Sequence, residues 1–283
     1  MKRNISLLSG LLLSLLMTAA AQLTVPNGIA FDSNGLLWVA NNRPDQILEI
    51  DPSTGNVLNT ITEGLNNPLR LFFATDSILY VANGKGNNIT VYNIQTLKLV
   101  RTISTSINFP LAVAVDAYGD VYIGNNSLNN VVALNIGNGL VETLTQDKAG
   151  YQFVAPGAMA IHGRNLYIGF GPGFGTDGVI RYNVGEFLVG NAKEITFYND
   201  NIDTGPTGIA FDAQGNVYIA EFYSNTWVKY APGGGSPLLV VSKGIAQPEG
   251  IAVDSQGNVF VANSTLGTIT EYNPAGTLIK TIH

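Results

Sequence analysis

Two histidines, His162 and His283, are this chain's whole supply of imidazole, and it contains no cysteine. A nucleophile activated by a neighbouring base, of the Ser–His or Cys–His kind, would have to be built around one of them. His283 is the final residue. His162 occupies a turn position that is Asp in four other copies of a repeat described below, which predicts a surface turn residue. A hard cation held by oxygen ligands is a second chemistry to weigh. Glu249 and Asn27 follow equivalent prolines and become neighbours if the repeats close into a ring, but the matching positions elsewhere are Leu69, Leu111, Gly157 and Thr207. Ca²⁺ or Mg²⁺ on Glu249 and Asn27 would have an incomplete cage, so no cofactor is expected. Arg70 is the third candidate. With Phe72 it replaces Gly or Ala found at the same two positions in the other five copies, and a guanidinium there suits bidentate recognition of a carboxylate, from a ligand or from Glu249. Two further segments stand out. Glu221-Phe-Tyr223 falls where most copies have Asn. Phe170, Phe174 and Asp177 punctuate a glycine-rich stretch from Gly169 to Gly178, which reads as a flap at a binding face or as a long turn.

These residues must be positioned by an internal repeat. Six segments align, beginning at Pro26, Pro68, Pro110, Pro156, Pro206 and Pro248, with spacings of 42, 42, 46, 50 and 42 residues. Each reads as four short strands, a to d. Strand a is the Pro-x-Gly-Ile-Ala-Phe-Asp run, an x-x-Gly turn follows, and strand b carries one aromatic: Trp38, Tyr80, Tyr122, Tyr167, Tyr218 or Phe260. A four-stranded sheet has two apolar faces and buries neither alone. A ring of six such sheets buries both, so the predicted fold is all-β: a six-bladed β-propeller with four antiparallel strands per blade. The strand-b aromatics are its inter-blade core. Each blade is predicted to be one continuous repeat, with closure by side-chain packing and no swapped terminal strand.

The up-and-down alternation puts the d–a and b–c loops on one face and the short a–b and c–d turns on the other. The first face holds the variable material and is the predicted binding face. It is rich in Asn at the ends of strand b (Asn41, Asn83, Asn125, Asn263), expected to close Asx turns on their own backbone. Asn88, Asn125 and Asn263 also fall in glycosylation sequons.

Residues 1–21 read as a signal peptide. Lys2 and Arg3 precede an apolar run around Leu11 to Met17, and Ala19-Ala20-Ala21 fits cleavage before Gln22. The run is interrupted by Ser9, Gly10 and Ser14 and is short for a spanning helix, which needs about 20 apolar residues. The expectation is a secreted or periplasmic protein of residues 22–283, a monomer with no stable membrane insertion. The net charge is −6, and loss of Lys2 and Arg3 makes it more negative, which disfavours nucleic acid as a partner. With no disulfide framework, stability must come from a core, and 46% hydrophobic against 12% charged residues can supply one.

Runs such as Pro206-Thr-Gly-Ile-Ala-Phe-Asp212 and Pro248-Glu-Gly-Ile-Ala-Val-Asp254 resemble NHL repeats, across essentially all of residues 22–283. The resemblance implies the wider group of six-bladed propellers that includes the gluconolactonase/senescence-marker, virginiamycin B lyase-like and amidating-lyase families, as well as members that only bind. What it implies chemically is a divalent cation on inner-strand carboxylates or a catalytic histidine. This chain has the incomplete cage above and no histidine that matches. The reading is therefore a binding or scaffolding propeller for a protein, carbohydrate or small-molecule ligand, with candidate site residues Arg70, Glu249, Asn27, Phe72, Phe174, Asp177, Glu221 and Tyr223. The alternative is a cation-dependent lactonase- or lyase-like enzyme with its site at the channel mouth.

Overall fold

Alternation of β-branched and aromatic residues with small ones after the motif proline produces strands, and in blades 1, 3, 5 and 6 the Gly of the a–b turn supplies the left-handed φ that reverses them: 78° at Gly35, 87° at Gly119, 78° at Gly215 and 84° at Gly257. The computed structural model describes residues 23–146, 153–173, 176–184, 195–199 and 204–283. The predicted signal peptide lies outside the described residues, among which no helix is long and apolar enough to cross a membrane.

The strands form six four-stranded antiparallel sheets, each of consecutive strands. The inner strands are β1 (Pro26–Phe31), β5 (Pro68–Thr75), β9 (Pro110–Val115), β13 (Ala158–His162), β17 (Pro206–Phe211) and β21 (Pro248–Val253). Residues 23–25 add no strand to the sixth blade, so every blade is one uninterrupted repeat. Six apolar clusters sit at six seams, each joining consecutive blades. One joins Ile29, Leu37 and Val39 of blade 1 to Ala252, Phe260 and Ala262 of blade 6, which makes the structure a closed ring. The six strand-b aromatics each fall in a different cluster, and none is more than 5% exposed. Burial of one such ring is worth about 1.5–3 kcal/mol.

The Asp that ends the strand-a motif organises the a–b turn. Asp32 Oδ1 accepts from the N–H groups of Asn34 and Leu36, and Oδ2 accepts from Trp38 Nε1. Asp116, Asp212 and Asp254 hold the same turn in blades 3, 5 and 6. In blade 4 this residue is His162, which is exposed and stacks on Phe211 of blade 5 at 4.7 Å.

Two sequence expectations meet the structure here. In the described residues, the glycine-rich stretch of blade 4 is not a simple turn but extends the hairpin between β14 (Asn165–Gly173) and β15 (Thr176–Asn183). Phe170 is 4% exposed there, its ring 5.8 Å from that of Phe153 in the seam to blade 3. The strand-b Asn residues are not local Asx turns. Each reaches 17 residues back to the d–a loop: Asn41 Oδ1 accepts from Thr24 and Val25, Asn83 from Asn66, Asn125 from Asn108 and Asn263 from Ala246. They are completely buried struts tying the two loops of the binding face together, and the sequons at Asn125 and Asn263 are closed in the folded protein.

Candidate functional site: an axial cup

The geometry of the mouth starts with a fault in the ladder. In blade 2, Pro68 pairs with Asn83 and Arg70 with Ala82, so Leu69 is left over; the same slip leaves over Leu111, Thr207 and Glu249 in blades 3, 5 and 6 and falls just after Pro26 in blade 1. A bulge of this kind re-aims the side chain that follows it. Asn27, Leu69, Leu111, Thr207 and Glu249, with Gly157 of blade 4, therefore converge on the propeller axis, where they line a cup of about 530 Å³.

Arg70 forms the floor. Its side chain crosses the axis from blade 2, donating from Nε to Thr207 O of blade 5 at 3.0 Å and from Nη2 to Glu249 Oε2 of blade 6 at 2.9 Å, while Nη1 turns back to Leu69 O at 3.0 Å. Thr207 Oγ1 in turn donates to Pro248 O at 2.7 Å, coupling blades 5 and 6. Below Arg70 lies a residual axial void of about 40 Å³ among Gly28, Gly208, Gly250 and apolar side chains. The glycines are obligatory: a Cβ on Gly28 would lie 2.7 Å from Arg70 Cα, and one on Gly250 2.3 Å from Asn27 O.

The walls differ around the ring. Blades 1 and 2 contribute Arg43 and Lys85, both exposed, from the b–c loops. Neither forms an ion pair with any described residue. Blade 5, opposite blade 2, contributes Phe222 and Tyr223, their rings edge to face at 5.1 Å. Tyr223 is 56% exposed and lies against Gly205, where a Cβ would come within 2.5 Å of the ring. The described part of blade 4 contributes Ala155, Gly157 and Gly171.

Of the residues singled out from sequence, Arg70, Glu249, Asn27 and Tyr223 meet in the cup. Phe72 and Glu221 do not. Phe72 points into the blade, packing against the seams on either side of blade 3. Glu221 takes the place of the strand-b Asn, is 4% exposed, and accepts from Ser224 Oγ at 3.1 Å and Thr226 Oγ1 at 2.9 Å. Phe174 and the side chain of Asp177 lie outside the described residues. Sequence reasoning passed over Arg43 and Lys85, and noted Phe222 only within Glu221-Phe-Tyr223 without assigning it to the site; the available signal was that each lies one or two residues after the end of strand b, on the face chosen for binding.

The donor set does not fit a divalent cation. One oxygen of Glu249, the only lining carboxylate among the described residues, is held by Arg70, so a cation there would sit beside a guanidinium; Asn27 supplies one amide. Among the described residues no three His, Cys, Asp or Glu side chains group as a metal site. Nor does a described histidine line the cup; His162 is on the opposite face.

Fold and site together define a closed six-bladed β-propeller with an axial cup on the d–a/b–c face. Solved structures of the same architecture include virginiamycin B lyase from Staphylococcus aureus, with a TM-score of 0.65 at 13% identity over 94% of this chain and 86% of that one. A streptogramin B lyase structure matches equally, over 94% and 85%. A catalytically inactive histidine variant of the S. aureus lyase with quinupristin gives 0.65 at 14% identity over 93% and 86%. At such identities the likeness is one of fold. The sequence matches no protein-family model and no curated protein sequence.

Proposed function

We propose that the protein is an exported binding propeller whose axial cup receives a small molecule or the end of a chain. The observation that carries this reading is the cup itself: all six blades contribute to it, it opens on one face, and Arg70 closes the channel beneath it. A cavity with apolar walls and a few convergent polar groups on a rigid scaffold is the form that small-ligand sites take. Acid–base chemistry has little to work with among the described lining residues, since Glu249 is paired and imidazole is absent, so binding is favoured over a lyase- or lactonase-like reaction.

The test is a ligand-observed NMR screen of small organic molecules against the wild type and Leu111→Trp, which places an indole in the cup. Hits lost in the variant, with its melting temperature within about 3 °C of wild type, support the reading. Hits that bind both proteins alike overturn it. Binding is also expected to survive exhaustive chelation with no change in melting temperature; a loss restored by Ca²⁺ or Mg²⁺ would return the cation-dependent enzyme to consideration. Export is checked separately, by finding Gln22 at the N-terminus of protein recovered outside the cytoplasm.

A further inference from the structure

Resting on the binding reading above, we infer that the ligand is a small anion carrying a flat apolar ring, held with its charged end at Arg43 and Lys85 and its ring against Phe222 and Tyr223. Charge comes first. The whole chain carries −6, yet the cup wall on blades 1 and 2 presents two cations with no acidic partner among the described residues. The third cation, Arg70, is neutralised by Glu249, so the cup as lined by the described residues is net positive on an acidic protein. An acidic carboxylate does lie near: Asp45, in the groove that Arg43 and Lys85 share with the cup. Its Oδ1 accepts from the Asn67 N–H at 2.9 Å, which fixes its place without cancelling its charge, so the two cations outweigh it by one. Uncompensated cations at a concave site raise the local concentration of anions and orient them on entry.

Shape supplies the second half. Arg70 shows how far apart blades 2 and 5 are at the floor, because one arginine side chain spans the distance to Thr207 O. Above it, Lys85 from blade 2 and the Phe222–Tyr223 pair from blade 5 line opposite sides of the cup. Tyr223 presents an exposed ring held in place by Gly205, and Leu69, Leu111 and Phe109 extend the apolar wall. An exposed aromatic offers a π-face for stacking. A cation on one side and a ring on the other select a molecule with opposite ends, and one too short to touch both walls loses half its contacts.

Three isosteric fluorescent probes separate the elements of this inference: naphthylacetate, naphthylethanol and naphthylethylamine, titrated into the wild type, Arg43→Gln/Lys85→Gln and Leu111→Trp. The acid is expected to bind about tenfold or more tightly than the alcohol at low salt, as two exposed charge contacts would give. That advantage should shrink as salt rises and vanish in the double glutamine variant, while the amine binds most weakly. Acid and alcohol binding equally, both excluded by Leu111→Trp, would overturn the anion inference and leave the binding cup standing. No probe distinguishing wild type from Leu111→Trp would overturn both. Tyr223→Ala should weaken all the naphthyl probes but leave hexanoate, which has no ring, unchanged; equal losses would remove the ring from the inference.

Discussion

Arg70 commits donors to three acceptors on blades 2, 5 and 6, and its side chain is 12% exposed. Replacing it by Met keeps the stem but strands the Glu249 carboxylate and the Thr207 carbonyl, so Arg70→Met is expected to cost about 2–4 kcal/mol in urea unfolding. Adding Glu249→Gln removes the orphaned charge, and the double variant should be more stable than Arg70→Met alone; a double variant that is worse would show that Glu249 is held by something other than the ion pair. On the opposite face, a different residue carries a cost the protein could shed. Blades 5 and 6 follow the a–b glycine with Asn216 and Asn258, whose Nδ2 donates to the turn aspartate; blade 3 has Asp120, beside Asp116. Burial, and then the Asp116 charge, hold the Asp120 carboxyl above the usual carboxylate range. The folded state thus binds this proton more tightly than the unfolded chain does. The penalty is absent below the unfolded pKa and fully present once pH exceeds the folded one. Asp120→Asn supplies the missing donor and should gain about 0.5–1.5 kcal/mol near neutral pH. The gain should shrink as pH falls through the raised folded-state pKa of Asp120, where the wild-type carboxyl takes up its proton; a gain independent of pH would mean that charge is not its source.

At the scale of elements, the strand-b asparagine ties two loops that would otherwise be independent. Asn83 is completely buried, accepts from the Asn66 N–H and donates to Asn88 Oδ1 and Thr90 Oγ1. Asn83→Ala leaves those groups without partners and should cost about 2–3 kcal/mol, against about 0.5–1 kcal/mol for Asn88→Ala, whose side chain is half-buried. Equal costs in urea unfolding would mean that the strut is no more than a turn residue. This strut also marks where sequence reading stops. Strand order, blade boundaries and the seam aromatics were legible because they follow from period and composition, which repeat. The ring of positions after the motif proline was legible for the same reason, and it does form the cup. Apart from the meeting of Arg70 with Glu249, which the break in the repeat at Arg70 suggested, what could not be read are interactions that cross repeats. A bulge is a one-residue slip in pairing with no residue type of its own, the Asn struts act over 17 residues, and the path of Arg70 depends on the channel width left by Gly28, Gly208 and Gly250. Phe72 and Glu221 were assigned to the mouth because they break the repeat pattern. Breaking a pattern is equally the sign of a local exchange in packing or turn chemistry, and that is what both residues are.

Ring closure is a property of the whole molecule, and one seam differs from its counterparts. Across four others, a b–c loop carbonyl or carboxylate oxygen, on Asp45, Asn87, Asn129 or Asn225, accepts from the N–H of the residue before the motif proline of the next blade. Those pre-proline residues, Asn67, Phe109, Ala155 and Gln247, all adopt left-handed φ, which aims the N–H at the clasp. Between blades 6 and 1 the clasp position is Gly267, with φ of 61° like the Asn residues it replaces. Its counterpart N–H, on Val25, is taken by Asn41 of its own blade. The backbone of Leu23 and Thr24 passes directly over Gly267: a Cβ there would lie 2.9 Å from Leu23 O and 3.2 Å from Thr24 O. Leu23 itself is 7% exposed and belongs to the apolar cluster of this seam. The segment before the first blade therefore does by packing what the clasps do elsewhere by hydrogen bonding. Gly267→Asn, which restores the residue used at three other seams, should consequently destabilise the protein, by about 1–3 kcal/mol, because the new side chain must lift Leu23 and Thr24. Native-state hydrogen exchange should accelerate first in β1 and β21, which flank the seam, and not in β9. Asn87→Gly is the matched control, expected to lose about 1 kcal/mol with one clasp. If Gly267→Asn instead raises stability, the first seam residue to doubt is Leu23, because a chain that yields to the asparagine without cost cannot be what holds blades 6 and 1 together.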